Sequence, residues 1–562
     1  MKRRQHVRLP NRSRGFLGEN NVDGLTDPIY QSGALREMRN YHQVGRGRLQ
    51  KRQGWEPYVT ATPTGAAHGI QSLMHFQFDN TSHLMATAQG KVYKLDSNGT
   101  SWTNLTGSLS LSSTEDRHVR STMFNSNTNS FLIATDNNGP VWSWDGSAGT
   151  VTAMPTVTRA SDVKEFKHRI FAINLPNRPT GVRWSDNNSY NEWSDGNVFD
   201  CSRESHGVAL ASHSADVMLV FHRRSIYAIR SDPAVHMYFD PTLVDGSTGC
   251  VARGSVVTYE GRTYFADDDG IYVVGDPRRP AKYISRAIEG YWNKLNKARL
   301  SEMIGFSRGE PWSEICWLVS AGGSGVANAV LIYSPAMASL YGDEFGWTIF
   351  DSSTTGALPF TSGVDYEDGN KVHHTLFGTS RGIVAKAFGN EENQTQYTDG
   401  KYTDANGDYS ATGSGTAVGS VLKTGLLDMG YEGMKGLRET WVDLEIASDT
   451  QFNLSVNGIE EDLVTETETT IGASGMMLGD IQYDQAGDPV LDSDGEAIPV
   501  AGQSSFMLGE SFLVGSGTAQ EQFQTEGSSR YFQFGLTESN VNQPHTVSGI
   551  HFLFTPRGMR IK

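Results

Sequence analysis

The chain has 562 residues, with 47 Lys and Arg against 63 Asp and Glu, which gives a formal net charge of −16. Gly contributes 61 residues, aromatic residues 10% and charged residues only 20%. This composition is typical of short strands and tight turns and argues against a helical protein. The length allows a large core, so no disulfide or metal is needed for stability. Three widely spaced cysteines argue against a disulfide framework or a cysteine zinc site.

The charge is distributed unevenly along the chain. Residues 1–60 contain 12 basic and 5 acidic residues, a local charge of +7, so the remainder carries −23. Residues 439–529 contain 18 acidic residues and no Lys or Arg. An acidic total argues against a nucleic-acid binder, since phosphate contacts need basic residues. The separation of a basic first segment from an acidic remainder is compatible with a nucleic acid that passes along the protein without being bound tightly.

The N-terminus is basic but has no apolar stretch behind it, so we expect no signal peptide. The sequence also contains no apolar run of 18 residues, the length that a membrane-spanning helix requires. We therefore expect a soluble protein made in a reducing cytoplasm.

A short motif returns along the chain: a β-branched residue, most often beside an aromatic residue and usually after Gly or a polar turn. Its β-branched positions are Val92, Val141, Val182, Ile226, Ile271, Ile332 and Ile383. Their spacings are 49, 41, 44, 45, 61 and 51 residues, close to the period of a four-stranded propeller blade. The first five repeats each have an apolar strand upstream. The pattern predicts an all-β fold with a β-propeller of six or seven four-stranded blades, an extended N-terminal arm and a smaller C-terminal β domain.

Other elements are predicted from shorter patterns. Apolar residues fall on a single face over 284–296, which predicts a helix in a connection between blades. The Thr-, Gly-, Asp- and Ser-rich stretch 395–420 indicates a linker and a domain boundary. Four C-terminal strands are predicted at 439–446 and 451–456, which alternate like a pair, and at 531–536 and 550–554. The predicted division is a basic arm over 1–60, a propeller over 61–410 and a β domain with an acidic loop region over 411–562.

No segment combines a nucleophile, a base and an orienting group. The Gly378–Gly382 stretch has the Gly-x-Ser-x-Gly pattern, but a strand follows it where a nucleophile elbow needs a helix, so Ser380 is predicted in a hairpin turn. Cys201 and His206 form only a weak pair. Acidic turns occur at 267–270, 404–408 and 492–496, and none supplies a full calcium ligand set. His373 and His374 are adjacent in a predicted strand and face opposite ways. We predict no enzyme, no cofactor and no metal.

The N-terminal segment carries a more specific signal. It contains Gly18–Asp23, Asp27-Pro28, Ala34–Asn40 and the stretch Gly47–Trp55, which reads Gly-Arg-Leu-Gln-Lys-Arg-Gln-Gly-Trp. This segment resembles the opening of the tail nozzle proteins of short-tailed bacteriophages, also called tail tubular protein B or packaged-DNA stabilisation protein. Residues 183–186 with Trp193, and residues 424–442, resemble further segments of such proteins. The resemblance covers the arm and the propeller, while the last 150 residues match only in general character.

The resemblance implies a structural virion protein that is assembled in the host cytoplasm. Six copies would form a ring below the portal and adaptor, retaining packaged DNA and conducting it during ejection without specific binding. Tail fibres or tailspikes, and the host envelope at the distal tip, would be further partners.

Two groups of residues are candidates for these roles. Candidates for contact with a subunit or the adaptor are the basic and aromatic side chains of the first segment: Arg12, Arg14, Arg46, Arg48, Lys51, Arg52 and Trp55. The same arginines offer a fork for phosphate, and a merely solvated arm is the alternative. Candidates for an acidic channel lining, which would repel passing DNA, are Glu460, Glu461, Asp462, Asp492, Asp494 and Glu496.

The main alternative function is a propeller-based glycan- or receptor-binding tail protein. Its site would be formed by exposed aromatic residues such as Trp193 or Trp347. A glycosidase ranks third.

Overall fold

Strands dominate the computed structural model of the chain. It describes residues 5–9, 35–44, 48–64, 68–78, 81–114, 118–126, 129–201, 205–231, 239–309, 312–351, 358–388, 398–400, 403, 409–410, 412–425, 434–446, 450–460, 463–473, 518–529, 531–538 and 545–556. The chain divides into two compact units. We call residues 1–18, 22–52 and 419–562 the sandwich unit, and residues 19–21 and 53–418 the propeller unit.

The first four strands belong to the sandwich unit: β1 (Gln5–Leu9), β2 (Leu35–Arg39), β3 (Tyr41–Val44) and β4 (Arg48–Lys51). β3 and β4 form an antiparallel hairpin. The fifth strand, β5 (Trp55–Val59), is the first of the propeller unit.

The propeller unit contains seven sheets among its described residues. The first six each pair four consecutive strands antiparallel. Blade 1 is β6 (Ile70–Phe78), β7 (Thr81–Ala88), β8 (Lys91–Leu95) and β9 (Trp102–Asn104). Blade 2 is β10 (Arg120–Asn125), β11 (Ser130–Thr135), β12 (Trp142–Trp144) and β13 (Thr152–Ala153). Blade 3 is β14 (Asp162–Phe166), β15 (Arg169–Leu175), β16 (Arg178–Trp184) and β17 (Val198–Asp200).

The next three blades follow the same order. Blade 4 is β18 (Gly207–Ser214), β19 (Val217–His222), β20 (Ile226–Ser231) and β21 (Phe239–Asp245). Blade 5 is β22 (Val257–Tyr259), β23 (Arg262–Ala266), β24 (Ile271–Val274) and β25 (Lys282–Tyr283). Blade 6 is β26 (Ile304–Arg308), β27 (Glu314–Val319), β28 (Ala329–Tyr333) and β29 (Trp347–Asp351).

Blade 7 is completed by a strand from the other end of the unit. Its own strands are β30 (Phe360–Glu367), β31 (His373–Thr379) and β32 (Val384–Ala387). The fourth is β5, which pairs antiparallel with β32, Val384 opposite Val59 and Ala387 opposite Trp55. Two short strands, β33 (Thr398–Asp399) and β34 (Thr416–Ala417), extend this sheet beyond β5.

The predicted repeat is confirmed as the third strand of each blade, and its number is seven. Five of its β-branched positions lie within these strands, and Val141 and Ile383 lie directly before β12 and β32. The five predicted upstream strands are β7, β11, β15, β19 and β23. Each blade thus has one aliphatic residue of the repeat in its third strand or directly before it.

Apolar side chains fill the spaces between neighbouring blades. Seven buried clusters each combine residues of two adjacent blades. One of them joins blade 7 to blade 1, with Leu376 and Val384 against Ile70 and Leu84. Because burying apolar surface is the main favourable term in folding, these clusters hold the blades together in a ring.

Helical structure is sparse among the described residues. The prediction of a helix over 284–296 is confirmed in its buried apolar face but not in its length. A 3-10 turn over Arg286–Ile288 leads into the short helix α1 (Glu289–Trp292). Beyond this helix the chain forms a β-bridge with a neighbouring segment, Leu295 opposite Ala321. The other helix is α2 (Pro335–Tyr341), capped by the Ser334 side chain. Further 3-10 turns are Arg253–Ser255, Lys297–Glu302 and Asp343–Phe345.

The sandwich unit combines the first strands with the last seven: β35 (Ser420–Thr424), β36 (Lys435–Ile446), β37 (Thr450–Glu460), β38 (Leu463–Ala473), β39 (Thr518–Ser529), β40 (Tyr531–Glu538) and β41 (His545–Pro556). One sheet has the order β3-β4-β41-β36-β39, with β1 also paired to β41. The other has the order β2-β35-β40-β37-β38. A single apolar core takes side chains from both sheets.

The four predicted C-terminal strands are present. The expectation that the first two pair with each other was wrong, because they belong to different sheets. β36 lies between β41 and β39, and β37 lies between β40 and β38.

The two units follow a different division from the three segments predicted from the sequence. Residues 22–52 group with 419–562, because Leu35, Met38, Tyr41 and Leu49 are buried in the same core as the C-terminal strands. The sandwich unit contains 19 basic and 24 acidic residues, a net charge of −5. The basic and acidic extremes of the sequence therefore belong to one unit.

In the described part of the chain, no helix has both the length and the hydropathy that a membrane span requires.

The close approach of Gly54, directly before β5, to the backbone of Thr398 in β33 predicts the effect of one substitution. A Cβ added at Gly54 would lie 1.9 Å from the carbonyl oxygen of Thr398. Because backbone cannot move aside easily, Gly54→Ala should destabilise the propeller by ~1–3 kcal/mol or more. Thermal unfolding checks this, with Gly149→Ala as the control, because Gly149 faces open space. Equal stability of the two variants would contradict this close approach.

Candidate functional site

The stretch that carries the sequence resemblance, residues 47–55, is the candidate functional site. It contains four of the predicted contact residues that the structure describes. Its first part, through Arg52, belongs to the sandwich unit, and Gln53–Trp55 belong to the propeller unit.

Lys51 forms a buried ion pair. It is the last residue of β4, and its ammonium contacts the carboxylate of Glu538 at the end of β40. Both side chains have no solvent exposure. A charge buried in this way is tolerated only when it is paired, so each residue requires the other.

Hydrogen bonds of Asn40 connect the residue at which the chain leaves the sandwich unit, Arg52, with the residue at which it returns, Gly419. We call this group the Asn40 clamp. Asn40 connects β2 to β3 with a φ of 61°, a left-handed conformation that Asn tolerates better than most residues. Its carbonyl accepts from the Arg52 amide at 2.9 Å, and its Oδ1 accepts from Arg52 Nε at 2.7 Å. Its Nδ2 donates to the Gly419 carbonyl at 2.6 Å. One side chain therefore bonds the last residue before the propeller unit and the first residue after it.

A second polar group lies beside this clamp. The hydroxyl of Tyr41 is 2.8 Å from His545 Nε2, and Ser420 Oγ donates to it at 3.2 Å. Burial raises the pKa of Tyr41, and the nearby charge of Glu538 acts in the same direction. The phenol is therefore neutral and serves as a hydrogen-bonding group between β3, β35 and β41.

Trp55 begins the propeller part of the segment. It is 6% exposed and makes an edge-to-face contact with Phe360, with ring centroids 5.9 Å apart. Its carbonyl accepts from the Gly400 amide at 2.9 Å. Trp55 thus fixes β5 in blade 7.

These positions correct several predicted roles. Lys51, Arg52 and Trp55 are buried, so they stabilise the fold of this chain and are not available for surface contact with a subunit, an adaptor or phosphate. Of the described candidates only Arg48 is exposed. Arg12, Arg14 and Arg46 lie outside the described residues.

The proposed acidic lining falls mostly outside the described residues too. Glu460 is the last residue of β37, where the strand pairs with Leu463 of β38. Glu461, Asp462, Asp492, Asp494 and Glu496 lie outside the described part of the chain. Their orientation stays a prediction.

The aromatic residues suggested for glycan binding are not on the surface. Trp193 is 7% exposed, and its indole donates to the Tyr190 carbonyl. Trp347 is fully buried and stacks on Trp317 with ring centroids 5.9 Å apart. Both belong to the cores between blades, so the interpretation of them as an exposed binding site was wrong.

Ser380 lies in the turn between β31 and β32, as predicted. Burial raises the pKa of the Cys201 thiol to about 12, which disfavours the nucleophilic thiolate.

The acidic turn 267–270 and the two histidines are engaged with protein partners, whereas the acidic turns 404–408 and 492–496 lie outside the described residues. In the turn 267–270, Arg223 pairs with Asp267 at 3.2 Å and with Asp268 at 2.6 Å. His373 is near Asp365 and Glu367, whereas His374 is near Asp368, as expected for residues that face opposite ways. Within the described ranges no group of three His, Cys, Asp or Glu side chains is arranged to hold a metal ion.

Sequence reasoning did not identify the Lys51–Glu538 pair or the Asn40 clamp. Lys51 and Glu538 are 487 positions apart, and a charged residue in a polar segment is ordinarily exposed. The only available signal was that Leu49 and Lys51 alternate with polar neighbours in a strand.

Comparison with known proteins finds similarity only among solved structures, at low identity. No family description and no curated protein sequence matches the chain. Among solved structures, it is similar to BBS1N in complex with ARL6DN, at 11% identity and a TM-score of 0.37, covering 61% of this chain and 98% of that one. It is similar to BamB from Moraxella catarrhalis, at 10% identity and a TM-score of 0.34, covering 70% of this chain and 98% of that one. It is also similar to an ancestral GH74 enzyme, at 11% identity and a TM-score of 0.38, covering 63% of this chain and 50% of that one.

The buried ion pair predicts non-additive effects of substitution. Lys51→Met or Glu538→Leu alone leaves an unpaired buried charge and should destabilise the sandwich unit by ~3–5 kcal/mol. The double variant removes both charges and should be more stable than either single variant. Urea unfolding measures the free energy of unfolding of the two single variants and the double variant, and hydrogen exchange of residues 35–52 and 531–538 shows where stability is lost. Additive losses would contradict the pair.

His213 predicts a pH dependence in the propeller unit. It is 5% exposed, and its Nδ1 is 2.9 Å from Thr263 Oγ1 of the neighbouring blade. Burial lowers the pKa of His213, against the opposing effects of Gly275 and Asp276. Because the unfolded chain binds the proton more readily, stability is complete above pH ~6.5 and falls as the pH drops from there towards the folded pKa.

The measurement is the urea midpoint of the propeller unit at pH 7.5 and pH 5. His213→Asn should reduce the difference between the two midpoints. His168→Asn, at an exposed position, should leave that difference unchanged. An identical pH response in wild type and His213→Asn would contradict the assignment.

Proposed function

We propose that this chain is a tail nozzle subunit of a short-tailed bacteriophage. Six copies form a ring that extends the DNA channel below the portal and adaptor. The ring retains packaged DNA and conducts it during ejection. The protein is a structural component of the virion and has no catalytic role.

One observation carries the proposal. The described part of the last stretch that carries the resemblance, residues 48–55, places buried side chains in both units: Leu49 and Lys51 in the sandwich unit and Trp55 in blade 7. A chance match would most easily arise in a solvated loop, where side chains have few requirements. Here the residues that match have specific partners, which supports a shared fold with the proteins that the sequence resembles.

The charge of the chain agrees with a channel for DNA. A ring of six would carry a formal −96. A genome that must slide needs walls that do not hold phosphate, and acidic walls repel it. The acidic segment 439–529 is the source of such a surface in this proposal.

The alternative of a glycan-binding propeller has lost its suggested aromatic site, since Trp193 and Trp347 are buried. Binding of a glycan by a monomeric chain would contradict the nozzle proposal.

Mass measurement by light scattering, for the purified chain alone and with the phage adaptor and portal, tests the proposal. We expect a six-chain species in the presence of the adaptor. A persistent monomer that ignores the adaptor and binds a glycan would refute it.

Arg48 allows a sharper form of the same test. It is the exposed candidate contact within β4. Arg48→Glu should weaken assembly with the adaptor at least tenfold, because it reverses a charge at the proposed contact. Arg278→Glu makes the same change at an exposed position of the propeller unit and should have no effect. Equal affinity of the two variants for the adaptor would show that Arg48 is not part of the contact.

A further inference from the structure

The 3-10 turn Arg253–Ser255, which leads into the first strand of blade 5, is also bonded to blade 6. The Ser255 carbonyl accepts from Trp317 Nε1 of blade 6 at 2.9 Å. A Cβ added at Gly254 would lie 2.6 Å from the carbonyl oxygen of Met303, which precedes the first strand of blade 6. The turn is therefore packed tightly and has little room to move.

The side chain of Arg253 extends from this turn towards the other side of the ring. Its guanidinium donates to the carbonyls of Ser161 at 2.7 Å, of Asp136 at 3.2 Å and of His118. His118 and Ser161 precede the first strands of blades 2 and 3, and Asp136 follows the second strand of blade 2.

These contacts place the guanidinium at the axis of the propeller unit. The first strands of neighbouring blades lie against one another, and the strands of blade 7 lie against those of blade 1, which closes the ring. In that ring blade 2 is three places from blade 5, and blade 3 is two places from it. One side chain thus joins blades that are not neighbours.

The chemistry of the contact suits arginine. Its guanidinium carries five N–H donors in a rigid plane and keeps its charge, whereas a lysine ammonium is a compact charge on a flexible stem. Hydrogen bonds from a charged donor to a carbonyl are stronger than those between neutral groups. A guanidinium can therefore hold three carbonyls that come from separate segments of the chain.

The apolar cores of the propeller unit connect neighbouring blades only. In an array whose units contact only their neighbours, one part can open while the rest stays folded. Native proteins open locally in this way at a lower free energy than that of global unfolding. Because Arg253 bonds to blades 2 and 3 from blade 5, movement of either blade away from the axis breaks bonds to blade 5 as well.

We propose that Arg253 is an axial latch that makes blades 2, 3 and 5 open together. The pairing of β5 with β32 closes the ring within blade 7, and the latch adds a second closure at the axis. The two closures act at different places, so loosening of one inter-blade core does not open the ring.

Hydrogen exchange of the full chain, followed by mass spectrometry of its peptides, tests the proposal. In Arg253→Ala we expect exchange of residues 118–125 and 161–166 to rise about tenfold or more, because the bonds that hold these segments at the axis are lost. Exchange of residues 373–379, in blade 7, should change little. Arg278→Ala removes an exposed arginine of the same blade and is the matched control, with no expected change in the three segments.

Chemical rescue distinguishes the latch from a general loss of packing. Methylguanidinium at ~20 mM should restore most of the protection lost in Arg253→Ala, because the free cation can donate to the same carbonyls and stabilises the state that binds it. Methylammonium at the same concentration should not. Arg253→Lys keeps the charge without the planar fork and should show an intermediate loss, and it replaces Arg253→Ala if that variant does not fold.

Unchanged exchange of residues 118–125 and 161–166 in Arg253→Ala would overturn the proposal. An equal rise in residues 373–379 would also overturn it, because that pattern indicates uniform destabilisation. The same holds if methylguanidinium restores nothing or if methylammonium restores as much. The measurement uses the single chain without an adaptor, so its outcome does not depend on the nozzle proposal.

Discussion

The pairing of β5 with β32 is the contact on which the rest of the architecture depends. It brings residues 55–59 beside 384–387, so the start and the end of the propeller unit lie in one sheet. Thr398 and Asp399 extend the same sheet, with Asp399 opposite Trp55. Because the chain begins and ends the propeller at neighbouring places, the segments that flank it are free to fold with each other.

The sandwich unit uses this freedom. Residues 35–51 and 420–556 build two sheets around one core, although more than 360 residues separate them. Asn40 bonds both Arg52 and Gly419, which are the two ends of the sandwich unit's chain at the propeller boundary. The propeller is thus an insertion within the sandwich unit, and the buried Lys51–Glu538 pair stabilises the strands on either side of that insertion.

Local pattern predicted the propeller well, because a blade is made from neighbouring strands and its repeat is visible in a short window. Val92, Ile226 and Ile271 were each placed in a strand of the correct blade without any knowledge of long-range contacts. The sandwich unit could not be assembled in the same way. Whether Lys51 is a surface cation or half of a buried pair depends on Glu538, and nothing near Lys51 in the sequence reports that partner. The short α1 shows the same limit, since Leu295 lies within the stretch with a helical pattern and is bridged to Ala321 instead.

We propose that copies of this chain surround a DNA channel whose wall is acidic. An electron cryomicroscopy reconstruction of the chain bound to its adaptor and portal tests it most directly. We expect a ring with sixfold symmetry in which residues 439–529 face the axis. A reconstruction without a ring, or with that segment on the outer wall, would contradict it.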